Sequence, residues 1–251
     1  MKNILKYCAL GLAFAAGSAS ASLVSFYGAD DGAVSGANSS VALNSYLAAT
    51  GSNSLIDFQG LGNNLVNFAN VTMGTGVSLT VTGNADGGIV SQGAHAQLMG
   101  FDASASGSKW LQLYPAVNSS TGATAVFTFD TPINAFGAFL TDTQSGVPGG
   151  ITVSFNDGTS QSLGITKNAS NGGLLFFGFT DFGKSFSSVS INTGATSSTR
   201  DIFGIDDVHF AAAPAATIDA AVVPEPVSLA LLGLGLIGIA ATRRSKTLKQ
   251  S

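Results

Sequence analysis

From Leu55 to Phe210 the chain is a succession of short apolar or alternating runs, each cut off by Gly, Asn, Asp or Thr before it can reach the length of a helix. That punctuation constrains the fold more than any other feature, because runs of about four to eight residues bounded by turn formers suit strands. The expected strands are Leu55–Phe58, Val77–Val81, Trp110–Leu113, Thr124–Phe129, Ala135–Thr141, Ile151–Phe155, Ser160–Ile165, Leu174–Phe179, Ser187–Ile191 and Phe203–Phe210. Asn156-Asp157-Gly158 forms a hairpin turn between two of them, since Asp-Gly supplies the positive φ that tight turns require. Thr124, Val126 and Thr128 alternate with Ala125, Phe127 and Phe129, one face wet and one dry. Residues 55–213 are therefore expected to form an all-β, two-sheet β-sandwich of jelly-roll type, with most of the chain's 17 Phe filling the space between sheets. Residues 22–54 are rich in Ala, Ser and Gly. A short helix is expected there over Val41–Ala49, stopped by Gly51. Residues 214–222 read as a linker.

The two ends carry processing signals. Lys2 and Lys6, a short apolar stretch and Ala19-Ser20-Ala21 make residues 1–21 a secretory signal peptide, with Ser22 as the first residue after cleavage between Ala21 and Ser22. The one Cys, Cys8, lies inside it, so the mature chain holds no thiol for a disulfide, a metal or a nucleophile. At the other end Pro224-Glu225-Pro226 precedes an uncharged run, Val227 to Thr242, and then Arg243-Arg244. The prolines fix φ on both sides of Glu225 and hold the segment extended, so one carboxylate stands at the foot of a single transmembrane helix. Sixteen residues reach roughly 24 Å as a helix, short of the ~30 Å hydrocarbon core. The arginines belong on the cytoplasmic side and Glu225 outside.

Residues 223–251, with Pro224, Glu225, Pro226, the short apolar run, Arg243 and Arg244 in that order, resemble the PEP-CTERM sorting signal of Gram-negative, polysaccharide-producing bacteria. The resemblance implies signal peptidase and the secretion machinery as early partners. It also implies an inner-membrane stage, cleavage by an exosortase near Glu225, and a final place at the cell surface or in the extracellular exopolysaccharide. Phe129-Asp130-Thr131-Pro132-Ile133-Asn134-Ala135-Phe136-Gly137-Ala138-Phe139 resembles the bodies of such proteins. So does Phe203-Gly204-Ile205-Asp206-Asp207-Val208, whose spacing is similar to jelly-roll domains of carbohydrate-binding-module type. That likeness implies a structural calcium held by Asp57 with Asp206 or Asp207, where hard oxygen donors suit the ion. The same carboxylates serve equally as strand caps or solvated groups, and no other cofactor is expected.

Charge limits the partners. All thirteen Asp fall between Asp30 and Asp219, against only Lys109, Lys167, Lys184 and Arg200, which leaves this stretch at −9 and repels nucleic acid. Gly178 to Ser185 matches the P-loop pattern, but a strand rather than a helix follows it. Gly233 to Gly238 matches the dinucleotide fingerprint inside the apolar tail, with no acidic ribose ligand behind it. Asp102 to Leu113 echoes a calcium hand but lacks its final Glu. Trp110 and Tyr114 are candidates for stacking on a sugar, and Trp110 is equally a core residue. His95 and His209 have no nucleophile or metal pair beside them, so the chain reads as a non-catalytic surface protein. The alternative is a secreted glycan-active hydrolase or lyase using two Asp, for which no spacing nominates a pair.

Overall fold

A computed structural model describes residues 23–213, apart from 33–35, 63–64, 75, 92–99, 104–106, 144–150, 164–172, 182 and 199. The signal-cleavage positions Ala19, Ala21 and Ser22, the sorting positions Pro224, Glu225, Pro226, Arg243 and Arg244, and His95 lie outside the described residues. Among those described, no helix is long and apolar enough to cross a membrane.

The elements run β1 (Val24–Asp31), α1 (Ala37–Thr50), β2 (Ser54–Ile56), β3 (Phe68–Thr72), β4 (Val77–Thr82), β5 (Gly88–Ser91) and β6 (Lys109–Leu113). Then come β7 (Thr124–Thr141), β8 (Ile151–Phe155), β9 (Ser160–Leu163), β10 (Gly173–Thr180), β11 (Phe186–Asn192) and β12 (Phe203–Ala212). The fold is all-β and antiparallel, one hydrogen-bonded sheet of 12 strands folded into two layers.

β7 makes that folding possible. Its first half pairs with β4 and β11, and its second half with β10 and β12. The sequence suggested two strands here, separated by Asp130 to Asn134, but the 18 residues form one. Pro132 lies inside this strand; its ring fixes φ at a value a strand tolerates, and it lacks an N–H, so it lets the strand continue and withholds a ladder bond where the partners change. One layer is thus β3–β4–β7–β11–β8–β9. The other is β1–β10–β7–β12, with β2 and β6 end to end along the far side of β12. Between the layers the rings of Phe129 and Phe210 lie 5.1 Å apart, and those of Phe155 and Phe179 5.7 Å apart. The expected Phe-filled interior is there.

The second layer is covered on its outer face too, and this was not foreseen. α1 is longer than expected and packs across β1 and β10. Tyr46, fully buried, lies with its ring 5.7 Å from Phe26 and 5.6 Å from Phe176. Its hydroxyl donates to the His209 carbonyl at 3.3 Å. Room for the ring comes from Gly178, where a Cβ would stand 2.6 Å from Tyr46 Cδ2. Burial on both faces explains why every residue of β10 is buried, whereas β4 and β8 alternate.

No side chain at the Gly36 N-cap serves α1, and Asp30 at the end of β1 takes the role. Its Oδ1 accepts the Asn38 N–H at 3.0 Å, and its Oδ2 accepts the Ser39 N–H at 2.7 Å and the Ser39 hydroxyl at 2.6 Å. Burial works to raise the Asp30 pKa, but these bonds from Ser39 and Asn38 outweigh it and hold the carboxyl below its usual range. A depressed folded value stabilises at neutral pH, and that contribution is lost as pH falls through it. Asp30→Ala is expected to cost about 1 kcal/mol at pH 7. The gap from wild type should narrow as pH falls through the depressed Asp30 value, read by urea denaturation at pH 7 and in acid.

Candidate cation-binding site

β12 changes partners in its middle. Phe203 to Ile205 pair with β6, and Val208 to Phe210 with β2, so residues 206 and 207 face the gap between those two strands. On the β7 side the register shifts between Asp206 and His209, a bulge in which Asp207 adopts φ 43°. Two consecutive Asp therefore sit where the ladder is interrupted. Asp57 follows Ile56, the partner of Val208, and so comes opposite Asp207. Asp102 enters from the segment before β6.

Neighbouring carboxylates add their charge to burial at Asp206 and at Asp207. Burial, then the charges of Asp207 and Asp102, push Asp206 up to about 9. Burial, then Asp102 and Asp57, push Asp207 up to about 6. Asp206 is fully buried. Its Oδ2 accepts the Ala103 N–H at 2.7 Å, while Oδ1 has no partner, nor has Asp207 Oδ1. An orphaned, buried carboxylate oxygen is costly and calls for a counter-charge. The nearby ammonium does not supply one: Lys109 Nζ donates to the carbonyls of Gln59 (3.0 Å) and Leu61. Gln59 ties the rim together, its Nε2 donating to Asp102 Oδ2 (2.9 Å) and to the Lys109 carbonyl (3.1 Å). Burial also pushes His209, two residues along β12, down to about 4.

This chemistry fits a hard divalent cation such as calcium, which takes carboxylate and carbonyl oxygens in a flexible shell. Among the described residues no three His, Cys, Asp or Glu side chains stand ready to hold a metal together, so the cluster is a cradle rather than a closed shell. β12 carries Asp206 and Asp207 side by side, and the β2–β12 register puts Asp57 opposite Asp207. Asp102 was missed: the sequence reading weighed it only as the first position of a calcium hand, and nothing local marks its approach to β12.

The aromatic pair does not form a sugar platform. Trp110 is 1% exposed, buried because both faces of β6 are covered, with its Cδ1 and Nε1 against the backbone positions of Gly204 and Gly100. Tyr114 is half-buried, and the Arg200 guanidinium sits 4.3 Å over its ring while donating to its hydroxyl at 2.8 Å. Surface stacking through Trp110 and Tyr114 is thereby corrected. The P-loop-like stretch runs from β10 towards β11, with no helix after it.

Residues 222–245 match the family model described as the PEP-CTERM protein-sorting motif. The comparison with curated proteins found no match. Among solved structures, one described as "X-ray structure of GH31 CBM32-2 bound to GalNAc" is 17% identical and covers 54% of this chain and 97% of its own, with a TM-score of 0.27. A superposition that loose carries no argument about fold or ligand. What the tail motif implies is export, a membrane-anchored sorting stage, processing by an exosortase and arrival at the cell surface: the chain carries a PEP-CTERM sorting motif at residues 222–245.

Proposed function

We propose that the protein is a non-catalytic, glycan-binding component of the extracellular exopolysaccharide of a Gram-negative bacterium, with a jelly-roll body stabilised by calcium. Signal peptidase releases residues 1–21 between Ala21 and Ser22. The apolar run after Pro226 then holds the chain briefly in the inner membrane. An exosortase cuts beside Pro224-Glu225-Pro226, and Arg243 and Arg244 keep the tail's end on the cytoplasmic side. The observation that supports the sorting route is the motif match at residues 222–245. A body with few cations and many Asp, Gly and Asn suits a hydrated neutral gel better than a polyanion. In the proposed calcium site Asp57, Asp206 and Asp207 supply oxygens, joined by Asp102, and the orphaned Asp206 Oδ1 and Asp207 Oδ1 are what support it. In the cell, Glu225→Ala is expected to leave the full-length chain in the inner-membrane fraction, while wild type is shortened and leaves it. Equal processing of the two on immunoblots would sink the sorting mechanism.

A further inference from the structure

Beside the acidic cluster lies a cavity of about 290 Å³, walled by the turn after β2 on one side and the end of β3 on the other. Leu55, Asp57, Leu61, Thr72, Met73 and Gly74 are among its lining residues. Its chemistry is divided. Leu55, 50% exposed, offers with Leu61 and Met73 an aliphatic floor. The Asp57 carboxylate accepts the Gln59 N–H on Oδ1 (3.1 Å) and makes no other hydrogen bond among the described residues, where the Thr72 hydroxyl makes none either; the Asp57 carbonyl accepts from Gln59 Nε2 at 2.9 Å.

The lining selects a ligand class. Among the described lining residues there is no Lys or Arg to hold a phosphate, sulfate or uronate. An alkylammonium group favours open aromatic faces, and the one ring among the described lining residues, Phe58, is 2% exposed. A neutral polyhydroxylated ring satisfies both halves. Its CH groups rest on the aliphatic floor, and adjacent hydroxyls donate to Asp57 and share a bond with Thr72.

The walls are held in advance. Phe58 sits at φ 58°, a strained conformation for so bulky a residue. It is locked by the two bonds from Lys109 Nζ to the Gln59 and Leu61 carbonyls. Opposite, the Met73 N–H donates to the Val77 carbonyl at 2.8 Å, and the Val77 N–H to the Gly74 carbonyl at 3.2 Å. Preorganisation of this kind lowers the ordering cost of binding.

The geometry points to a sugar subsite: this cavity takes one neutral hexose unit of a glycan, with Asp57 as the hydroxyl acceptor and Thr72 as the second polar contact. The inference rests on the glycan-binding reading above and assigns it a place. The test is saturation-transfer NMR on the exported protein with the methyl glycosides of glucose, galactose and mannose, beside a glycan array. At least one glycoside is expected to show transfer. Asp57→Asn should weaken it about tenfold or more, because it removes a charged acceptor. Thr72→Val, at an exposed position, should weaken it about fivefold with melting unchanged. Array binding that both variants retain at wild-type strength overturns the subsite and leaves the glycan reading standing. A silent array with no transfer from any glycoside overturns both.

Discussion

Tyr46→Ala is expected to lower the stability of the body by about 3–5 kcal/mol, the range for truncating a large buried aromatic. The ring is fully buried between α1 and the outer face of the second layer, against Phe26 and Phe176, in a hollow that Gly178 keeps open. A glycine hollow cannot collapse onto a missing ring, so most of the cavity should persist. Tyr46→Phe keeps the packing and loses only the bond to the His209 carbonyl, at a cost of about 1 kcal/mol. Urea denaturation separates the two. A loss under about 1 kcal/mol for the alanine variant would show that the helix lies on the sheet without stabilising it.

Calcium at about a hundred times its Kd is expected to stabilise the protein by about 2.7 kcal/mol, a rise of roughly 5–10 °C in Tm that a chelator reverses. Asp206→Asn should abolish this response. It should also raise stability in chelator at pH 8 to 9, since it removes a charge that burial and its neighbours disfavour. The sign with pH follows. An acid whose folded pKa is raised keeps its proton longer in the folded state, so stability falls as pH rises towards that value. Asp207, raised to about 6, contributes below pH 6, where His209, lowered to about 4, opposes it. From about pH 6.5 to 9 Asp206 acts alone among the described groups with shifted values, and the metal-free protein should lose a few kcal/mol there. A flat profile in chelator, or a Tm indifferent to calcium, would remove the cation site.

The strands that were legible in the sequence are those with one wet face or a clear turn beside them, such as β4, β8 and the hairpin at Asn156 to Gly158. β1 was missed because Val24 to Asp31 sits in an Ala/Ser/Gly-rich stretch and gains its strand character from β10, far along the chain. β3 and β5 were missed as well. β3 is mostly exposed and bulged, and β5 has four residues and opens on Gly88. Asp206 and Asp207 were visible as a pair. What the sequence does not show is the bulge that aims them into the gap between β2 and β6, because a bulge is a property of register between strands. Trp110 failed as a surface residue for a related reason: alternation separates faces only while one of them meets water.

The pairing of β1 with β10 also sets the timing of folding. Val24 to Asp31 are matched with Gly173 to Thr180, about 150 residues later, and β2 waits equally long for β12. A chain threaded through a translocation pore from its N-terminus delivers the first strands long before their mates. Contacts so distant along the sequence form slowly. The polypeptide can therefore stay open enough to be threaded, and it can close only when almost all of the body has emerged on the far side.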